Sequence, residues 1–146
     1  MSNTIVLRGK GIYKEANAGG TITPGHLLMR SGANFVVHSA AEGNAYALFA
    51  HEQDFVGRDL NTNYTANERV LAIVPERGAE INALVPAAAP AIAVGDELVS
   101  NGDGTLKKVT AAALAIGNVR RVVAVALEAV NNSGGGTPAR IRVEIV

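Results

Sequence analysis

The stretch ARIRVEIV, residues 139–146, decides the fold class. Apolar side chains at Ile141, Val143 and Ile145 alternate with charged ones, and this period of two places the two kinds on opposite faces of a β-strand. A strand with one buried and one solvated face is typical of an antiparallel sheet. We therefore predict an all-β, mainly antiparallel protein.

Strand signals continue towards the N-terminus. Residues 121–130 predict a long strand, and the Gly-rich segment 131–137 predicts a hairpin loop that joins it to residues 139–146. Pro24-Gly25 is a turn dipeptide, because proline presets φ and glycine accepts a positive φ. Thr110 is a suitable N-cap for one short helix at most, over residues 111–115. Further strands are predicted at residues 21–23, 27–29, 35–38, 45–50, 69–74, 80–85, 92–94 and 98–99.

The turn-and-strand pattern of residues 22–36 returns about seventy residues later. Both copies place an apolar strand before a Gly turn, then a second strand and a second Gly turn. Two hypotheses explain the similarity: a duplicated hairpin unit, or two unrelated hairpins that need the same turn residues. The matched pairs are Gly25 with Gly95, Leu28 with Leu98, Gly32 with Gly102, and Val36 with Leu106.

Residues 1–20 are predicted to form an extended N-terminal arm ahead of a single β-rich domain over residues 21–146. Glycines interrupt the short apolar run of residues 5–7, and the segment carries Arg8, Lys10 and Lys14 against a single acid. Such a segment could be a swapped strand, a loosely held terminus, or an element that becomes ordered on a partner.

Composition excludes several classes of protein. The chain has 146 residues, of which 48% are hydrophobic and 18% charged, so it can build a core and is not a disordered protein. Cysteine is absent, which removes disulfides, thiolate nucleophiles and Cys-type zinc sites. Thirteen basic and thirteen acidic residues balance, so no global field attracts nucleic acid or an anionic membrane. With neither a signal peptide nor a membrane span expected, we predict synthesis in a cytoplasm.

No enzyme signature emerges from the polar residues. The three histidines lack metal-ligand spacing, and the serines lack a Gly-x-Ser-x-Gly elbow. The acids of the central loops show no special pairing, so we expect them to be solvated. We predict no catalytic residue, no cofactor and no metal. The residues considered are His26, His38, His51, Ser31, Ser39, Ser100, Glu42, Glu52, Asp54 and Asp59.

The loop Asn101-Gly-Asp-Gly-Thr105 has the composition of a calcium loop. An EF-hand also needs a bidentate Glu at its twelfth position, where this chain has Ala112. A hairpin turn explains Asn-Gly and Asp-Gly without an ion. The basic pairs at residues 107–108 and 120–121 lack interleaved aromatics, which argues against binding of single-stranded nucleic acid.

In their order along the chain, several segments resemble tailed-bacteriophage capsid decoration proteins, also called cement or head-stabilising proteins. The resemblance covers most of the chain from about Thr21 onward. The segments are Thr23-Pro-Gly-His-Leu-Leu28, Gly57-Arg-Asp-Leu-Asn-Thr-Asn-Tyr64, Val94-Gly-Asp-Glu-Leu-Val-Ser-Asn-Gly-Asp-Gly104 and Val125-Ala-Leu-Glu-Ala129.

The resemblance implies a small β-barrel or β-tulip-like domain without catalytic residues. It implies a homotrimer that binds the major capsid protein on the outer surface of the virion and stabilises the expanded head by bridging neighbouring subunits. Members of the family use an N-terminal arm to reach neighbouring subunits, so Arg8, Lys10 and Lys14 are the candidate capsid contacts. Two alternatives are a phage tail or baseplate component and a small ligand-binding or carbohydrate-binding β module; the aromatic content of 4% disfavours sugar binding.

Overall fold

The computed structural model describes residues 4–110 and 122–146, and within these ranges the protein is all-β, as predicted. The predicted helix at 111–115 lies outside the described residues. A single-turn 3-10 helix covers Asp54–Val56. The strands are β1 (Val6–Arg8), β2 (Gly11–Ala18), β3 (Leu28–Ser31), β4 (Asn34–Val37), β5 (Phe49–Ala50), β6 (Arg69–Pro75), β7 (Glu80–Val85), β8 (Glu97–Ser100), β9 (Leu106–Lys108), β10 (Ala124–Ala126) and β11 (Ala139–Ile145).

The strands form two sheets. One has the order β1-β7-β11-β10-β8-β9 and the other β3-β4-β2-β6-β5. Pairing is antiparallel except between β2 and β4, which run parallel. The predicted C-terminal strand is β11, where Ile141, Val143 and Ile145 are buried as the alternation indicated.

The expected closed barrel is absent over the described ranges. The six-stranded sheet is open, because its edge strands β1 and β9 are not paired with each other. In the five-stranded sheet the edge strands β3 and β5 form no ladder with each other, although residues 25–28 approach β5 through the bridge between Leu27 and Phe49 and through backbone hydrogen bonds to Ala50 and Leu48. The architecture is therefore two mainly antiparallel sheets, neither of which forms a closed ladder among the described residues.

Two predicted strands are much shorter in the structure. Of the described residues 122–130, only Ala124–Ala126 form β10, because the chain then leaves the sheet and pairs again at the bridge between Ile92 and Val130. Of residues 45–50, only Phe49–Ala50 form β5. The other apolar residues of these segments lie in loops that pack against the core. Composition alone does not distinguish such a loop from a paired strand.

The five strands β2–β6 and the five strands β7–β11 repeat one arrangement. We call residues 11–75 the first unit and residues 80–145 the second unit. In each unit the first strand pairs with the last, the fourth also pairs with the last, and the second and third form a hairpin. The bridge between Ile22 and Tyr64 in the first unit corresponds to the bridge between Ile92 and Val130 in the second.

The correspondence extends to individual hydrogen bonds at the Gly turns. Thr23 N–H donates to His26 Nδ1 (3.1 Å), and Ala93 N–H donates to Asp96 Oδ2 (2.8 Å), so one side chain caps each turn at the same position. The carbonyls of His26 and Asp96 each accept from an alanine of the neighbouring strand. This agreement over whole units favours duplication over chance similarity of two hairpins.

Each unit has its own hydrophobic core. The core of the first unit lies between its strands and includes Phe35, Leu48 and Tyr64. The core of the second unit includes β7 and β11 side chains and extends to Phe49 and Ile73 of the first unit. Packing between the units is therefore continuous with the second core.

Arg140 connects the two units with hydrogen bonds. Its guanidinium donates to Pro24 O (2.6 Å) and Leu60 O (2.9 Å), both carbonyls of the first unit. Burial lowers the pKa of Arg140 against the attraction of Glu52. The alternating pattern of 139–146 gave this residue a solvated position, whereas the first unit covers that part of the face.

Residues 4–18 differ from the arm that was expected. Ile5 is fully buried, β1 pairs with β7, and β2 pairs with β6 over Gly11–Asn17. The glycines that suggested flexibility have other uses. Gly9 turns the chain with φ +87° between β1 and β2, and a Cβ there would lie 3.0 Å from the Ala79 Cβ.

Candidate functional site

The candidate site is the outer backbone edge of β2. Ala18 N–H donates to Glu68 O and Ala18 O accepts from Asn67 N–H, so the backbone groups of Ala18 point towards the β6 side. Because backbone direction alternates along a strand, the groups of Gly11, Tyr13 and Glu15 point away from β6. β4 pairs with β2 only at Asn17 and Ala18. We call residues 11–15 the β2 edge, and no strand of the described residues pairs with its outer side.

Two large apolar side chains are exposed on the β2 edge. Ile12 is 65% exposed and Tyr13 is 54% exposed. The Tyr13 ring contacts the His51 ring edge-on, with centroids 5.4 Å apart. On the other face, a depression of about 330 Å³ lies beside Ile12, lined also by Lys10, Gly11, Val74, Pro75 and Glu76. Exposed apolar surface rimmed by charge is typical of an interaction site.

Two of the three predicted capsid contacts lie at the β2 edge. Lys10 directly precedes β2, and Lys14 lies on it, with the same side-chain direction as Ile12. Arg8 ends β1, on the far side of the Gly9 turn, and its Nε lies 3.8 Å from Glu80 Oε1. Lys10 and Lys14 therefore share a face of β2, whereas Arg8 lies in the six-stranded sheet and contacts Glu80.

A second exposed apolar pair lies in the 3-10 turn. Phe55 is 68% exposed and Val56 is 58% exposed. The pair was not predicted from the sequence, although two large apolar residues among the polar residues of the segment 51–59 are a signal of it. Asp54 directly precedes the pair, and Arg58, which follows it, is bound in an ion pair with Glu68 (3.1 Å).

His38 and Ser100, which the sequence analysis treated separately, are in contact. His38 Nδ1 lies 2.7 Å from Ser100 Oγ, and His38 Nε2 lies 2.9 Å from Asn44 O. Both residues are buried, and Gly102 N–H also donates to Ser100 Oγ (3.1 Å). With a neutral imidazole, Nε2–H donates to Asn44 O and the serine hydroxyl donates to Nδ1. The pair therefore fastens the first-unit hairpin to the second and leaves no nucleophile open to a substrate.

The other two histidines are also held inside hydrogen-bonded turns. Burial lowers the pKa of His26 to about 4, against the attraction of Asp103 and with the repulsion of Arg140. His51 Nδ1 lies 2.7 Å from Glu52 O and 3.3 Å from Glu52 Oε2.

The loop over residues 101–105 has the geometry of a turn. Asp103 Oδ1 accepts from the Thr105 N–H (3.0 Å) and from the Thr105 hydroxyl, and Asn101 Nδ2 donates to Thr105 Oγ1 (3.3 Å). These bonds hold the pKa of Asp103 below its usual range although burial acts to raise it. The carboxylate is used by its own turn.

The four loop acids have separate roles. Glu52 is buried, contrary to the solvated position expected, and accepts from Ile5 N–H (3.0 Å). Glu42 lies 3.4 Å from Lys107 Nζ. Asp59 accepts from Asn61 N–H, and Asp54 is exposed at the 3-10 turn. Across residues 4–110 and 122–146 no three His, Asp or Glu side chains are grouped as metal ligands.

A further polar depression of about 330 Å³ lies at the junction of the units. It is bordered by His26, Asn61 and Arg140, but the guanidinium is already bonded to two carbonyls. Among the described residues no helix is long and apolar enough to span a membrane.

Comparisons with known proteins give a fold relationship. No protein-family model and no curated protein matches the chain. Among solved structures, the chain is similar to the N base of the head fiber gp8.5 of bacteriophage phi29, with a TM-score of 0.55 and 14% sequence identity. The match covers 92% of this chain and 93% of that one. The protein therefore shares the fold of a phage head-fiber base over almost its whole described length.

Proposed function

We propose that this protein is a structural component of a phage virion, which binds the outer surface of the capsid and stabilises the expanded head by bridging neighbouring subunits. The observation that carries the proposal is the fold similarity, which spans nearly all of this chain and of a base domain from a phage head fiber. The decoration-protein resemblance of the sequence supports the same location, from motifs rather than from coordinates.

The surface chemistry supports a binding role for the protein. The exposed backbone and apolar side chains of the β2 edge suit contact with another protein, whereas the buried His38–Ser100 pair does not suit turnover of a substrate. We further propose a homotrimer, since symmetry multiplies modest contacts through effective concentration. A formal net charge of zero limits repulsion between crowded copies on one shell.

Binding to expanded capsids that lack the protein tests the proposal. We expect purified protein to co-sediment with such shells at a fixed ratio per capsomer and to raise the temperature at which they rupture. Absence of binding, under conditions in which authentic shells recruit their own decoration protein, contradicts the proposal. Sedimentation equilibrium gives the oligomeric state, and a monomeric mass contradicts the trimer.

A charge-matched pair of variants tests the capsid contacts. Changing Arg8, Lys10 and Lys14 to Gln together should weaken shell binding about tenfold or more, because charged rim contacts steer association. The control changes three exposed basic residues elsewhere, Arg30, Lys108 and Arg142, to Gln and should leave binding within about twofold. Equal effects of the two sets contradict a specific role for the N-terminal residues. Labelled protein located at the tail tip by electron microscopy contradicts the head location.

A further inference from the structure

The two units differ at one edge, and this difference defines an unfilled position. In the second unit, β1 pairs antiparallel with the outer side of β7, at Ile81 and Glu80, and Asn82 N–H donates to Ile5 O (2.8 Å). In the first unit the corresponding strand is β2, and its outer side has no pairing strand at residues 11–15 among the described residues. The same architecture is thus complete in one unit and open in the other.

The correspondence is exact in register. Ile73 pairs with both Tyr13 and Phe49, and Glu144 occupies the same place between Glu80 and Val125. Tyr13 is therefore the counterpart of Glu80, and by the same ladders Glu15 is the counterpart of Asn82. The two residues of β7 that receive β1 correspond to two residues of β2 whose backbone groups point to solvent.

We propose that the β2 edge binds an extended segment of another protein by antiparallel strand addition, and that this segment alternates acidic and apolar side chains. β1 shows what such an occupant contributes in this fold. It buries one aliphatic side chain, Ile5, and its terminal Arg8 contacts an acid of the receiving strand. At the β2 edge, Lys14 and the preceding Lys10 supply the reverse charge on one face, and Glu15 on the opposite face lies 3.9 Å from Arg69 Nη2.

The side chains of the β2 edge select the pattern of the segment. Lys10, Ile12 and Lys14 point the same way, and their backbone groups face β6, so the residues opposite them in an added strand form close, non-hydrogen-bonded pairs. An acid opposite each lysine and an aliphatic residue opposite Ile12 satisfy all three. The depression beside Ile12 and Val74 continues this apolar surface towards β6.

A second copy of this chain fits the β2 edge poorly. A two-fold antiparallel pairing centred on Ile12 places each Lys10 opposite a Lys14, and like charges directly opposite are destabilising. A pairing centred on Tyr13 places the lysines opposite Ile12 and Ala16, with no acid facing them. Lysines on an edge strand also discourage unspecific pairing with apolar strands, which narrows the partner to acidic segments.

The test uses purified protein and synthetic peptides, so it is independent of the proposed function. The acidic peptide is Thr-Glu-Thr-Val-Thr-Glu-Thr, and the control replaces both Glu with Lys. We expect the acidic peptide to slow hydrogen exchange of the Gly11, Tyr13 and Glu15 amides, and the lysine peptide to bind at least about tenfold more weakly. Exchanging Lys10 and Lys14 for Glu should reverse this preference.

The backbone contribution is tested at Tyr13, whose N–H points to solvent. Tyr13→Pro removes that donor without removing a bond to β6 and should abolish peptide binding, whereas Tyr13→Ala keeps the donor and should retain binding. Three results overturn the proposal: no protection of the three amides by the acidic peptide, equal binding of both peptides, or amides already protected in the free protein by self-association. If Tyr13→Pro does not fold, the variant with Lys10 and Lys14 both changed to Glu tests the proposal through its preference between the two peptides.

Discussion

The first and second units have the same five-stranded arrangement but seal it differently. In the first unit, β4 curls round to pair with the end of β2, and the rest of that edge faces solvent. In the second unit, β9 does not pair with β7, and β1 occupies the edge instead. The difference teaches that a repeated unit need not be self-sufficient, because an open edge can be closed by chain from outside it.

We expect the greatest difference in the free energy of unfolding between substitutions of two isoleucines, Ile5 at the covered edge and Ile12 at the open edge. Ile5→Ala removes a fully buried side chain and should lower the free energy of unfolding by about 2–5 kcal/mol. Ile12→Ala, at a position 65% exposed, should change it by less than about 0.5 kcal/mol. Urea denaturation measures both. Equal losses would mean that β1 does not hold the second unit as the structure indicates.

The second effect compares the two turn glycines. Gly25 and Gly95 have φ of +98° and +89°, so alanine is strained at both. A Cβ at Gly25 would also lie 2.4 Å from Arg140 Nη1 and 3.0 Å from Asn82 O, whereas nothing lies within 4 Å at Gly95. Gly25→Ala should therefore cost about 1–3 kcal/mol more than Gly95→Ala in thermal or chemical unfolding. A greater loss of stability for Gly95→Ala than for Gly25→Ala would show that Arg140 and Asn82 do not pack against Gly25 at the interface between the units.

The third effect compares the turn caps, His26 and Asp96, by their pH dependence. The folded state holds His26 neutral with a pKa of about 4, whereas the unfolded chain takes up a proton near pH 6.5. The unfolded state therefore binds more protons in this window, and stability is lost as the pH falls from about 6.5 to about 4. His26→Asn keeps an acceptor for Thr23 N–H, so we expect it to reduce this loss by about 1–2 kcal/mol.

Asp96→Asn is the control for the pH measurement. The Ala93 N–H and Lys108 hold the pKa of Asp96 below its usual value of 3.8, so its contribution is present above that pH and is lost only below it. In urea denaturation between pH 7 and 4.5, the free energy of unfolding of this variant should depend on pH as that of the unchanged protein does. If the pH dependence of the free energy of unfolding changed in Asp96→Asn and not in His26→Asn, Asp96 would be the pH-sensitive cap instead of His26.

The smallest effect concerns the ion pair between β1 and β7. Arg8 has a side chain 79% exposed and lies 3.8 Å from Glu80, so Arg8→Ala should change the free energy of unfolding by less than about 0.5 kcal/mol. The change should vanish in 1 M NaCl, where such charges are screened. A larger loss that persists in salt would show that the aliphatic part of Arg8 packs on β7.

Sequence periodicity predicted the parts of the fold in which burial is one-sided and local. β11, β6 and β7 lie where alternation or a β-branched run indicated, and the seventy-residue offset located the two hairpins. The closure of the sheets was not predictable in this way. It depends on contacts such as Leu27 with Phe49 and Val6 with Ile81, which no local pattern encodes.

Composition alone predicted a flexible arm at the N-terminal residues, where the structure has two paired strands. Gly9 and Gly11 suggested a flexible arm, yet Gly11 pairs with Pro75, and a Cβ there would lie 2.3 Å from Val74 O. Close approach and flexibility require the same residue, and only the partner strand distinguishes them. Charge singled out Lys10 and Lys14 as candidate contacts, which stays a prediction, whereas the exposed backbone beside them required the sheet topology.

The placement of β1 has a consequence for the order of events during synthesis. Val6 is translated seventy-five residues ahead of its partner Ile81, so Ile5 must remain without its pocket while the entire first unit emerges and can begin to fold. Closing so long a loop is slow compared with forming the hairpins. Residues 5–8 are thus translated before the first unit but can reach their place only after β7 has followed it.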